Sequence, residues 1–223
     1  MTLAAPAPVV AVDVAVFTVR AGVLRVLLAQ ARTGPFAGWW ALPGGRVREN
    51  ESLDQAATRE LLARTALGSD VYLEQLYTFG HPHRDPHDRV VSVAYLGLLA
   101  DPDRVAGPIA TGKYGAVAWQ PVSRLPPLAY DHGAVVRLAV TRLRSKLQYT
   151  NLAYTLLPRT FTLAEMQTLY EAILGRRLDR RNFRRKVLSL GLLRPVGRVR
   201  RGPHRPAALH RFCSRRPMVV TVV

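Results

Sequence analysis

Along the first two thirds of the chain the apolar residues fall mostly into β-branched runs, broken by two stretches of helical period. Val9 to Val19 and Val23 to Ala31 are two such runs separated by Ala21-Gly22, which predicts a hairpin. From Ser52 to Leu67 the apolar positions are 53, 56, 57, 61, 63 and 67, a helical spacing with Ser52 placed to cap the start and Gly68 to stop it. Val71 to Phe79 and Val90 to Leu99 predict strands joined by the polar, proline-bearing loop Gly80 to Asp88, and Val117 to Val122 predicts another. A second helix is expected from Asp131, its cap, to Gln148. It turns Val135, Leu138, Ala139 and Leu143 inward and Arg137, Arg142, Arg144 and Lys146 outward.

Beyond Pro158 the pattern changes to short helical pieces and a hairpin. Thr162 precedes a helix from Leu163 to Leu174 with Glu165 in its first turn, and Gly175 ends it. Asp179 precedes another that closes at Gly191. There Phe183, Val187, Leu188 and Leu190 are expected inward, while Arg180, Arg181, Asn182, Arg184, Arg185 and Lys186 crowd the other faces. Leu192 to Val196 and Ala207 to Phe212 flank a basic turn containing Arg198, Arg200, Arg201 and Arg205. Helix, turn, arginine-rich helix and basic hairpin together predict a winged helix-turn-helix. The expected organisation is a first domain over 1–148, a linker over 149–158 and a DNA-binding domain over 159–223.

Charge sharpens this division. The chain of 223 residues carries a net +17, yet residues 1–154 hold 16 basic against 12 acidic side chains, and residues 155–223 hold 16 against 3. Only three of the basic residues are lysine, so an arginine-biased composition contributes, but such a bias would not spare the first two thirds. A polyanion is the natural partner of the last third. Arginine suits duplex DNA because its planar fork bonds guanine edges as well as phosphates, and Asn182 is placed to read adenine. Arg184, Arg185 and Lys186 cannot all face one groove, so some hold phosphate and one or two read bases. The hydrophobic share of 48% supports a substantial core, and the single Cys213 excludes a disulfide framework or a four-cysteine zinc site. No apolar run is long enough to span a membrane and the N-terminus lacks a signal-peptide pattern, so a cytoplasmic protein is expected. His81, His83 and His87 lack a helical ligand spacing and sit among prolines, so no metal site is assigned to them.

The candidate chemistry lies in residues 45–67. Gly45, Glu51 and Arg59-Glu60-Leu61 match the start of the pattern G-x5-E-x7-R-E-U-x-E-E-x-G-U, where U is a bulky aliphatic residue. With the preceding Trp39-Trp40-Ala41-Leu42-Pro43-Gly44 they resemble the Nudix box. Where a Nudix hydrolase places two adjacent magnesium-binding glutamates this chain has Ala63 and Arg64, and Ala66 replaces the glycine. Magnesium bridging a diphosphate requires carboxylate oxygens, which Glu60 alone supplies poorly. The glycine loop and the helix start near Ser52 still favour a phosphate-bearing ligand.

A degenerate Nudix domain, here an α/β fold with a mixed sheet between helices, followed by a winged helix resembles the Nudix-related transcriptional regulators of bacterial NAD metabolism. The resemblance runs from Val9 to Phe212. It rests further on Tyr77-Thr78-Phe79-Gly80, Arg84-Asp85-Pro86, Val90 to Tyr95, Leu157-Pro158-Arg159, Tyr170 to Gly175 and Arg181 to Lys186. It implies a homodimeric repressor on a palindromic operator, released by ADP-ribose or a related nucleotide. Trp40, Gly44, Gly45, Arg46, Arg59, Glu60, Arg84 and Tyr95 are the implied ligand contacts. No resident cofactor and no catalytic residue are assigned. A residual ADP-ribose pyrophosphatase and a regulator of a sugar-utilisation operon remain as alternatives.

Overall fold

The computed structural model describes residues 7–65, 71–104, 114–201 and 206–222. By its internal contacts the chain divides into two compact units. One takes residues 1–17, 25–97 and 102–139, and the other takes residues 18–24, 98–101 and 140–223.

The first unit holds most of a seven-stranded sheet. Strands β1 (Val9–Arg20) and β2 (Val23–Ala31) form the expected hairpin, its turn made by Ala21 and Gly22 with φ of 50° and 73°, the paired positive values of a type I′ turn. Then come β3 (Trp40–Ala41), β4 (Gly44–Arg46), α1 (Leu53–Thr65), β5 (Tyr72–Phe79), β6 (Val90–Leu98), β7 (Tyr114–Pro121) and α2 (His132–Tyr149). The strand order is β3-β2-β1-β6-β5, with β4 added on β1 and β7 on β2. Every residue from Val12 to Thr18 is buried, as a central strand covered on both faces requires. That explains why β1 is apolar at nearly every position of this stretch and not only at alternate ones, and it makes Asp13 a buried carboxylate in need of partners.

The helix signals held where local chemistry decides them. Ser52 caps α1 reciprocally with Gln55: the Gln55 N–H donates to Ser52 Oγ (3.2 Å) and the Ser52 N–H donates to Gln55 Oε1 (2.7 Å). Ala56, Ala57 and Leu61 face the core, but Ala63, expected inward, is exposed, and its place in the stripe goes to Thr65 and Glu60, both buried. Positions 66 to 68, including the expected stop at Gly68, lie outside the described residues.

In the second unit, α3 (Leu163–Leu174) follows the two-residue strand β8 (Phe161–Thr162) and is closed by a full capping box between Thr162 and Glu165 and by Gly175 at φ 71°. α4 (Arg180–Ser189) starts at Asp179, whose carboxylate accepts from the Asn182 N–H at 2.7 Å. Tyr170 and Phe183 join the two helices through rings 5.3 Å apart. Leu188, expected inward, is half exposed. A short helix crossing a small core buries only one residue per turn, and here those are Phe183 and Val187. Strands β9 (Leu193–Arg200) and β10 (Ala207–Phe212) complete a three-stranded sheet in the order β8-β10-β9. β9 runs past the expected end at Val196, because Gly197 (φ 70°) is absorbed as a bulge: Ala208 pairs with Val199 but His210 with Pro195.

Candidate functional site

The box residues fold into a brace. Arg59, on α1, donates from Nε to Glu51 Oε2 at 2.8 Å and from Nη2 to Glu51 Oε1 at 2.5 Å and to the Arg46 carbonyl at 3.0 Å, and its Nη1 bonds Glu60. Glu51 also accepts from the Arg48 N–H at 2.7 Å. These hydrogen bonds, led by those from Arg59, hold the Glu51 carboxyl well below its usual range. Arg59 is thereby the tie between the loop 46–51 and α1. Glu60 lies directly under Gly45, and Gly44 packs as closely on β1, where an added Cβ would sit 2.6 Å from Asp13 Oδ1. Small size, and not an unusual φ, is what the chain needs at both positions.

Above this brace opens a cavity of about 340 Å³, bounded by Gly44, Gly45, Arg46, Phe36, Tyr130 and the loop residues Asp85, His87 and Asp88. Its floor is a buried polar network. Arg84, with 4% of its side chain exposed, reaches Asp13 at 2.9 Å and grips Asp131 through Nη2 (2.6 Å) and Nε (3.0 Å). Ser92 donates to Asp13 at 2.6 Å. His132 accepts the Leu42 N–H at Nδ1 (2.9 Å) and turns Nε2 to Asp13 at 3.2 Å. Burial alone would push the Asp13 carboxyl up. The electrostatic interaction and hydrogen bond with His132, then the Arg84 charge and the Ser92 hydrogen bond, outweigh it and hold the group far below the carboxylate range. Phe36 and Tyr130 make the aromatic wall, with ring centroids 4.5 Å apart, and the same two residues with Arg84 also bound an adjoining cavity of about 290 Å³ that takes in His81, His83 and Asp131. Tyr130 holds φ at 54°, a left-handed conformation that a bulky residue adopts only where its surroundings impose it.

The expected ligand contacts thus separate. Gly44, Gly45, Arg46 and Arg84 line the larger cavity. Trp40, Arg59, Glu60 and Tyr95 are absent from its described lining. Trp40 pairs with Gln30 on β3, Arg59 and Glu60 are bound up in the brace, and Tyr95 is a core residue whose hydroxyl donates to Asp54 in the first turn of α1 at 2.6 Å. The expected side-chain cap Asp131 is likewise committed to Arg84. Phe36, Tyr130, Asp13 and His132 were not anticipated. Aromatic residues near glycines (Gly34, Gly38) and an aspartate inside an apolar strand were the signals available. Among the described residues no group of three or more His, Cys, Asp or Glu side chains is arranged to hold a metal ion, and no helix is long and apolar enough to cross a membrane.

On α4, Arg180, Arg181, Asn182, Arg185 and Lys186 are exposed, and Arg185 donates to Asn182 Oδ1 at 2.9 Å. Arg184 is half buried, with its Nε shielded and unbonded. Arg198 and Arg200 stand on β9, not in a turn, and Arg201 follows, all exposed. Arg200 forms an ion pair with Glu165. Arg205 lies outside the described residues.

Comparison with known proteins places both parts. Residues 8–139 match the NUDIX domain and residues 153–212 match the NrtR DNA-binding winged helix domain. The ADPR responsive transcriptional repressor NtrR of Acinetobacter baylyi is 35% identical over 209 residues, covering 93% of this chain and 83% of that protein. NrtR of Shewanella oneidensis, solved in complex with a 27mer DNA, superposes with a TM-score of 0.80 at 36% identity, over 91% of this chain and 93% of that one. The NUDIX domain of the same NrtR, solved with ADP ribose, gives a TM-score of 0.58 at 37% identity, over 63% of this chain and 91% of that one. The chain therefore belongs to the Nudix family, in the branch of regulators that carries an NrtR DNA-binding winged helix domain.

Proposed function

We propose that this protein is a homodimeric, cytoplasmic transcriptional repressor of NAD-metabolism genes, which binds a palindromic operator through α4 and the β9–β10 wing and leaves it when ADP-ribose occupies the Nudix cavity. The observation that carries the reading is similarity along nearly the whole chain to a repressor named for its response to ADP-ribose, joined to a cavity backed by the Gly44-Gly45 loop. Two copies on a two-fold operator present two recognition helices and two wings. ADP-ribose must favour the DNA-free conformation, since a ligand with equal affinity for both states shifts nothing.

Binding without turnover is supported by the box itself. Ala63 and Arg64 stand at the magnesium-ligand positions, and Glu60 is held by Arg59 beneath Gly45. The test is fluorescence anisotropy of the full chain on its own upstream DNA at physiological salt, titrated with ADP-ribose with and without magnesium. Tight binding reversed by intact ADP-ribose is expected. Specific DNA binding indifferent to ADP-ribose overturns the effector, and magnesium-dependent AMP release at steady turnover restores the hydrolase.

A further inference from the structure

The cavity has an electrostatic difficulty if its ligand is an anion. Among the described residues, two guanidiniums line it, Arg46 and Arg84, against the three carboxylates of Asp13, Asp85 and Asp88. Arg84 is buried and committed: it neutralises Asp13 and holds Asp131 by two bonds. A guanidinium so placed cannot turn to an incoming phosphate without stranding a buried carboxylate, which is strongly unfavourable. Arg46 is different. It stands at the end of the glycine loop with 68% of its side chain exposed, and its ion-pair partner is Asp88, itself 43% exposed. Asp88 is held in position by its own loop, because Asp85 Oδ1 accepts the N–H of both His87 (2.9 Å) and Asp88 (3.2 Å), while Arg84 in the same loop is anchored in the floor.

From this we propose that Asp88 is a built-in competitor for the phosphate-binding arginine: its carboxylate pairs with Arg46, and a diphosphate must displace it to bind. The inference rests on the proposed ADP-ribose reading and assigns it a regulatory residue. An exposed ion pair is weak enough to exchange for a doubly charged ligand. Its persistence sets the concentration at which the effector takes over. Nucleosides without phosphate gain nothing from Arg46 and are indifferent to the exchange, so the same pair contributes to selection for the diphosphate.

The experiment is calorimetric titration of the full chain as wild type, Asp88→Asn, Arg46→Gln and the double variant, each with ADP-ribose, inorganic pyrophosphate and adenosine. Asp88→Asn keeps the side-chain shape and removes the charge, and matching thermal melts check the fold. The expected result is about three- to tenfold tighter binding of ADP-ribose and pyrophosphate to Asp88→Asn. Arg46→Gln binds both more weakly, Asp88→Asn adds no gain in the Arg46→Gln background, and adenosine is unaffected throughout. Unchanged or weaker phosphate-ligand binding in Asp88→Asn overturns the proposal, as does the same gain in the Arg46→Gln background, which would mark a general charge effect. If wild type binds pyrophosphate but not ADP-ribose, the effector reading fails while the pyrophosphate series still decides on Asp88. If neither ligand binds wild type or Asp88→Asn, both fail.

Discussion

The Glu60 carboxylate fills the place where a side chain at Gly45 would begin: a Cβ there would lie 2.6 Å from Glu60 Cδ and 2.9 Å from Oε2. In this chain the glycine of the box and the glutamate of its R-E pair are thus steric complements. Arg59 holds Glu60 from one side and the loop carbonyl of Arg46 from the other. The box holds the residues that shape the loop and has Ala63 and Arg64 where the family pattern has its glutamate pair.

Gly45→Ala should therefore overpack the brace, lowering stability by about 1–3 kcal/mol and weakening ADP-ribose binding by displacing the loop. Urea denaturation and calorimetry measure the two effects. Because the obstacle is the Glu60 side chain, Glu60→Ala combined with Gly45→Ala should recover part of the stability lost in the single variant. A double variant whose losses simply add would show that the two residues do not act on each other.

Removing Arg84 leaves Asp13 buried with its cation gone. Arg84→Ala is expected to cost about 3–5 kcal/mol of unfolding free energy, far more than the loss of any exposed arginine on α4. Arg84→Lys should restore only part, since one ammonium cannot reproduce the fork that reaches Asp131 through two nitrogens and Asp13 through one. Equal stability of Arg84→Ala and wild type in urea would mean that water enters the network freely.

Acid should expose the brace. Hydrogen bonds from Arg59 bring the Glu51 carboxyl down from 4.5 to about 2 in the folded chain. A group whose pKa is depressed by folding adds stability above its unfolded value, and that stability disappears as pH falls through the folded one. The melting temperature of wild type should thus exceed that of Glu51→Gln above about pH 4.5, with the gap closing as pH drops toward 2. Circular-dichroism melts across that range decide it, and a gap independent of pH would remove Glu51 from the account.

Local signals are readable in the sequence. The caps Ser52, Thr162 and Asp179 and the Ala21-Gly22 turn were legible because each is settled within a few residues. The Arg84 network was not: Asp13 and Arg84 are 71 residues apart and Arg84 and Asp131 are 47 apart, so only the folded sheet brings them together. Tyr95 is a ligand contact only by the resemblance: β6 is buried along almost its whole length, so alternation is silent about which face meets the cavity. The resemblance implies ligand contacts at Arg59 and Glu60, and in the folded chain their hydrogen-bond partners include each other, and for Arg59 also Glu51 and the loop carbonyl of Arg46. Arg46 was placed at the cavity by sequence, whereas its partner Asp88 sits in a loop with no regular pattern to read.

On α4 the bond from Arg185 to Asn182 Oδ1 couples two exposed side chains one turn apart and presents them as a unit. A preformed pair loses less side-chain entropy on docking than two free ones. Arg185→Ala should remove a cationic contact, reducing the slope of log affinity against log salt by about one, and should also release Asn182. Asn182→Ala should leave that slope unchanged while narrowing the preference for the operator over scrambled duplex. Neither change should alter the affinity for ADP-ribose, because the cavity is lined by residues between Val9 and His132. Anisotropy at several salt concentrations, paired with calorimetry on the same variants, separates the roles. Parallel loss of DNA and ADP-ribose binding in Arg185→Ala would sink the assignment of α4 to DNA recognition alone.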